Sequence, residues 1–179
     1  MLNNLKYKKG FSLIEFMLVM VAILIASALI VPKFLEARDT SQGREEAGKV
    51  TELKTRIEAY YAQEPDFSGL DSAFSGIAPR TFSKNSSDQV INMWRKVIKV
   101  APATHGTSAG YTITYEGVPR GTVCNEFIKT SKANFWNEMK VGTVTLNQDS
   151  NIADIMKACR VVKGKKNTST EVVFTYWNI

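Results

Sequence analysis

From Phe16 to Pro32 the chain carries no charged residue, and the wider stretch 11–32, FSLIEFMLVMVAILIASALIVP, carries one, Glu15. As a helix this stretch would be about 33 Å long at ~1.5 Å per residue, enough to cross the hydrocarbon core of a bilayer. The ten residues before it, MLNNLKYKKG, hold Lys6, Lys8 and Lys9. A basic flank before an apolar span stays in the cytoplasm, so the remainder of the chain is expected to be exported. An ordinary signal peptide is the simplest alternative, and Ala26-Ser27-Ala28 has the small residues of a cleavage site. Two features weigh against it. A carboxylate in an apolar span is unfavourable, less so near its end, and Glu15 therefore asks for a reason. The helical pattern also continues beyond the span.

Residues 33–64 are polar but keep a stripe, Ala47, Val50, Leu53, Ile57 and Tyr60, at steps of three and four. Glu52 and Arg56 form an i,i+4 pair in the favourable order on the opposite face. The pattern predicts one helix over 11–63, apolar all round in its first half and amphipathic in its second, ended by Pro65. Its stripe should seat a globular head over 64–179. Gly43 and Gly48 are weak points, and Pro32 favours a kink.

Turn-rich residues 66–85 read as a loop. Ser86 and Gln89 form a possible capping box for a short helix carrying Met93 and Trp94. Val97–Val100 and Tyr111–Tyr115 read as strands, with a loop over 101–110. A helical pattern runs from Pro119 to Trp136 with Cys124, Ile128 and Phe135 on one face. Val141–Leu146 is β-rich. Asp149 or Ser150 is expected to cap a helix with an apolar face of Ile152, Ile155, Met156 and Cys159. Glu171–Trp177 is a final strand. The fold class is therefore α+β: a long N-terminal helix packed on a head with an antiparallel sheet.

Lys9-Gly10-Phe11-Ser12-Leu13-Ile14-Glu15, followed by the apolar run, resembles the class III signal of type IV prepilins. The resemblance implies a leader over 1–10, cleavage between Gly10 and Phe11 by a prepilin peptidase, and N-methylation of Phe11. It implies that Glu15 acts in assembly, pairing with the α-amine of a neighbouring subunit. It also places Pro32 where many pilins extend locally, although the Gly that some carry eight residues earlier is Leu24 here. The head stretch YTITYEGVPRGTVC, the helix NIADIMKAC and the last strand resemble type IVb pilins of the plasmid thin-pilus and enterobacterial colonisation-pilus group. Many leaders of that group are longer, and many begin the mature chain with a residue other than Phe.

The implied function is a structural subunit of a type IV pilus, polymerised through its hydrophobic helix. Its partners would be other pilin subunits, the inner-membrane assembly machinery, the membrane before assembly, and a host or cell surface afterwards. The implied location is the inner membrane, then an extracellular filament. A type II secretion pseudopilin shares the N-terminal motif, and a soluble secreted protein is the remaining alternative.

Cys124 and Cys159 are the only cysteines. Export to an oxidising compartment predicts a disulfide, with two buried thiols as the alternative. Closing a loop of about 36 residues would stabilise the fold by roughly 3–4 kcal/mol in the chain-entropy model. In the family such a bridge bounds a D-region, which by position would be 124–159. One His and two Cys leave a zinc cluster short of ligands, and no metal or other cofactor is expected. His105 lies in a Gly/Ser/Thr-rich loop and reads as solvated. Trp94, Trp136 and Trp177 read as core. Nucleophile elbow, P-loop and dinucleotide fingerprint are all missing, so an enzyme is not expected. The net charge is +6, with 23 Lys and Arg against 17 Asp and Glu. Part of it is the leader, and the cluster Lys163-Gly164-Lys165-Lys166 reads as a solvated turn. Nucleic acid is not an expected partner.

Overall fold

A computed structural model of the chain describes residues 12–161 and 169–178. The leader, the Gly10–Phe11 junction and the Lys163–Lys166 cluster lie outside the described residues. The chain divides into two units, the first ending at Arg38 and the second beginning at Asp39.

In the first unit the side chains from Ser12 to Arg38 are all exposed. They belong to helix α1, Leu13–Tyr60. The Ser27 hydroxyl donates to the Ile23 carbonyl at 2.7 Å, which satisfies it without breaking the helix. The helix runs unbroken through Pro32, so the backbone is not unwound there.

In the second unit the amphipathic part of α1 supplies the centre of the core. Ala47, Val50, Leu53 and Ile57 are fully buried, as their spacing predicts. Each Leu, Ile or Val of this kind contributes about 1.5–3 kcal/mol of burial free energy. Tyr60, the last of the stripe, is exposed. The helix stops at Tyr60 rather than Gln63, and 61–63 form a turn.

The connection after α1 is more ordered than its composition suggests. Helix α2, Leu70–Ile77, buries Leu70, Phe74 and Ile77 on one face. Strands β1, Ser83–Lys84, and β2, Val90–Ile91, pair antiparallel. The helix expected from Ser86 and Gln89 does not form. Asp88 and Arg95 have φ of 58° and 59°, outside the helical region. Asn side chains compete with helix here. Asn85 Oδ1 accepts from Ser87 and Gln89 N–H, and buried Asn92 Oδ1 accepts from Trp94 and Lys96 N–H.

The main sheet is antiparallel, in the order β3-β4-β7-β5-β6. Its strands are β3, Ile98–His105; β4, Ser108–Pro119; β5, Glu138–Val141; β6, Val144–Leu146; and β7, Ser169–Trp177. Residues 101–110, expected as loop, are paired strand around a tight turn with Gly106 at φ 60°. Helix α3, Thr122–Lys132, ends before Trp136. Phe135 takes φ 53° and turns outward, and Trp136 takes the buried place beside Phe174 instead. Helix α4, Ile152–Ala158, is capped by Asn151 rather than Asp149 or Ser150. Asn151 Oδ1 accepts from Asp154 N–H at 3.0 Å, and Asp154 Oδ2 accepts from Asn151 N–H at 2.9 Å. Only Ile155 and Cys159 of its expected apolar face are buried, whereas Ile152 and Met156 face solvent.

The two glycines of α1 have opposite surroundings. A Cβ on Gly43 would lie 2.6 Å from the Val123 carbonyl oxygen and 3.0 Å from Phe127 N, so Gly43 lets α1 and α3 approach at backbone distance. Nothing lies within 4 Å of the same position on Gly48. Gly43→Ala should therefore lower the unfolding free energy of the head by about 1–3 kcal/mol through overpacking. Gly48→Ala should raise it by about 0.5–1 kcal/mol through helix propensity. Urea unfolding of the two variants checks the opposite signs.

Candidate assembly site

The N-terminal part of α1 is a surface with nothing on it. Leu13, Leu18, Leu24, Leu29 and Phe34 are each at least 66% exposed, an apolar surface of the kind that marks a protein or membrane contact. By length and composition the helix can cross a membrane. Its first turn holds Glu15, whose Oε2 accepts from Ser12 N–H at 2.8 Å. Ser12 Oγ in turn accepts from Ile14 N–H at 3.4 Å. The carboxylate thus satisfies one of the orphan donors at the start of the helix, in the place and with the sign that the helix dipole favours. Sequence reasoning assigned Glu15 to an intermolecular pair; within the chain its carboxylate makes this local bond.

In the second unit Cys124, on α3, and Cys159, just after α4, are disulfide-bonded and fully buried, with Cα atoms 5.6 Å apart. The bridge ties two helices whose own contacts are few, and the Gly121 N–H donates to the Cys159 carbonyl beside it. His105, at the end of β3, stacks on Trp177 at 4.3 Å between centroids. Trp136 is core as expected, Trp94 lies edge-on to Phe127, and Trp177 is half-buried. Among the described residues no cluster of His, Cys, Asp and Glu could hold a metal ion.

The apolar stripe read from the sequence leaves out Glu46. Glu46 is fully buried beside the apolar stripe. Its Oε2 lies 3.3 Å from Lys49 Nζ, and its Oε1 accepts from Met93 N–H at 3.4 Å. Burial raises its pKa above the usual carboxylate value, against the opposing pull of Lys49. Lys49 is held above its usual value by Glu46 and Glu45, which outweigh its own desolvation. Glu46 precedes Ala47 and Val50 at the steps that put it on the stripe's edge, and that spacing was the signal available.

The chain matches two family descriptions. "PilS N terminal" covers residues 45–176, and "Prokaryotic N-terminal methylation motif" covers residues 5–31. It is similar to the major structural subunit of bundle-forming pilus from Escherichia coli O111:H-, at 23% identity over 83% of this chain and 77% of the relative. The same-named subunit from E. coli O127:H6 is 26% identical over 62% of this chain and 59% of the relative. A crystal structure of type IV b pilin from Salmonella typhi superposes with a TM-score of 0.57 at 21% identity, over 74% of this chain and 97% of that one.

The buried carboxyl makes head stability depend on pH. A group whose folded pKa is raised contributes stability below its unfolded value, here 4.5, and loses it as pH rises through the folded value. Asp66 and Asp88 act oppositely, because hydrogen bonds from Ser68 and from Ser75 lower their pKa values, so their contribution is lost only below about pH 4. The thermal midpoint of the head should therefore fall as pH is raised from 4.5 to 7.5. Glu46→Gln should flatten that fall. Calorimetry of both proteins across the range is the measurement, and identical slopes would remove Glu46 as the cause.

Proposed function

This chain belongs to the PilS family, and we propose that its working form is a type IV pilin cut between Gly10 and Phe11, N-methylated at Phe11 and polymerised through α1. It is a structural subunit of a pilus and not an enzyme. With the head in the PilS family, the pseudopilin and signal-peptide readings are set aside. The observation that carries the reading is α1 itself: one helix leaves every apolar side chain of its first half uncovered and buries a stripe of its second half in the head.

The steps follow from the chemistry of that helix. Before assembly the span holds the chain in the inner membrane with its basic leader in the cytoplasm. The prepilin peptidase needs close access to the backbone, and Gly10 gives it. Cleavage leaves the span on the mature chain and creates an α-ammonium at Phe11. In the filament the apolar surface of one helix is covered by other pilin subunits instead of lipid. Glu15 of one subunit accepts the Phe11 ammonium of its neighbour, a buried pair that fixes register more than it adds stability. The contact is heterologous and does not close, so it propagates as a fibre. The inner-membrane assembly machinery drives the transfer, and Pro32 gives the helix a point at which to bend. The segment 124–159, closed by the disulfide, supplies head surface for contacts between subunits and with a host or cell surface.

Glu15 and Gly10 give separable tests. Gly10→Val should leave an unprocessed chain, read by N-terminal sequencing. Glu15→Gln keeps an acceptor for Ser12 N–H but removes the charge, whereas Glu15→Val removes both. Both should leave leader removal and the disulfide intact and reduce sheared filaments at least tenfold. Normal filament yield from Glu15→Gln with loss in Glu15→Val would assign Glu15 to helix capping and refute the ion pair.

A further inference from the structure

The head has a cleft of about 470 Å³ between Arg120, the turn between β5 and β6, and the end of α4. Its volume lies in the range of small-ligand sites, ~300–1,000 Å³. Three cations, Arg120, Lys157 and Arg160, line it, together with the hydroxyl-bearing Thr143 and an aliphatic floor that includes Val141 and Val144. No carboxylate is among its lining residues. Among the described residues Lys157 and Arg160 have no acidic partner in an ion pair. Asp154, on the helix that carries Lys157, is used in the cap of α4.

Arg120 is held in place rather than free. Its Nη1 donates to the carbonyls of Ala158, at 2.9 Å, and Arg160, at 3.3 Å, and its Nη2 donates to Thr170 Oγ1 at 3.1 Å. These bonds neutralise the carbonyl end of α4, which would otherwise repel an anion. They also fix the guanidinium plane while, among the described residues, leaving Nε–H and one Nη2–H uncommitted. A fixed guanidinium fork suits a planar or tetrahedral oxyanion, and nearby Lys157 and Arg160 add charge without demanding geometry.

We propose that this cleft binds an anionic saccharide, with a sulfate or uronic-acid carboxylate against the three cations and the sugar ring on the valine floor. The floor is aliphatic and offers no aromatic platform for stacking bases, so the site suits a glycan and not a single-stranded nucleic acid. The inference goes beyond pilus assembly and is tested on unassembled protein, so it stands or falls separately from it.

The test uses the full-length chain in detergent, immobilised at physiological salt. The probes are a heparin-derived sulfated hexasaccharide, an unsulfated oligogalacturonate of the same length, and a short DNA of similar charge. Lys157→Gln/Arg160→Gln removes two cations that make no intramolecular side-chain hydrogen bond among the described residues. Arg80→Gln/Lys96→Gln removes two exposed cations outside the cleft and matches the loss of charge. The expected result is saturable binding of at least one saccharide, weakened about tenfold by the cleft variant and less than twofold by the control. The saccharide that binds identifies the oxyanion. Equal weakening by both variants would reduce the effect to net charge and overturn the proposal. So would unchanged binding in the cleft variant, absence of binding by both saccharides, or a preference for the DNA.

Discussion

In hydrocarbon a backbone N–H or C=O has no water to bond, so an apolar span long enough to cross a membrane, as the first half of α1 is, has to satisfy them within one helix. The rest of the fold follows from that obligation. Once started, the helix continues at little further expense because each added residue brings its own bond. In its second half the apolar surface narrows from all round to a stripe. Ala47, Val50, Leu53 and Ile57 are what the stripe offers, and the sheet, α2 and α3 are arranged to cover it. The close approach of α3 at Gly43 and the buried carboxyl of Glu46 are both consequences of building a core directly on this helix.

A core assembled on a helix needs large, adaptable partners, and this one uses rings. Tyr111, Tyr115, Phe127, Trp136 and Phe174 are buried and touch one another at tilted or edge-on angles. They come from β4, α3, β7 and the segment before β5, so the same cluster joins the first and last parts of the head. The Tyr111 and Tyr115 hydroxyls are pushed well above their usual pKa, chiefly by burial and secondarily by Glu58 and Glu46 respectively. Lys54, on α1, reaches over Tyr176 at 4.5 Å and pairs with Glu58 at 2.7 Å, so charge as well as apolar surface ties the helix to the sheet.

What was legible in the sequence was whatever repeats or is chemically singular. The helix, its stripe, the strands at Tyr111–Tyr115 and Glu171–Trp177, and the cysteine pair were all of that kind. The misses share a different cause, a local signal overruled by one residue. Asn92 ties down its own following backbone, and the helix expected over Met93 and Trp94 becomes a turn. Phe135 adopts a positive φ and exchanges exposure with Trp136. Eight residues of α2 were hidden in a stretch rich in Ser and Gly because Leu70, Phe74 and Ile77 alone carry its periodicity. At the start of α1 the motif singled out Glu15 but not its bond to Ser12, the residue just before the helix and three positions back.

The order of strands in the sheet has a consequence for biogenesis. The last strand made, β7, lies between β4 and β5 and not at an edge. Until residues 169–177 are available, β4 lacks one neighbour and β5 is joined only to the three residues of β6. Both then present open strand edges, and contacts far apart in sequence form slowly. The sheet therefore stays split in two until the nine residues of β7 arrive. Closure of the sheet by β7 is thus the step that completes the head.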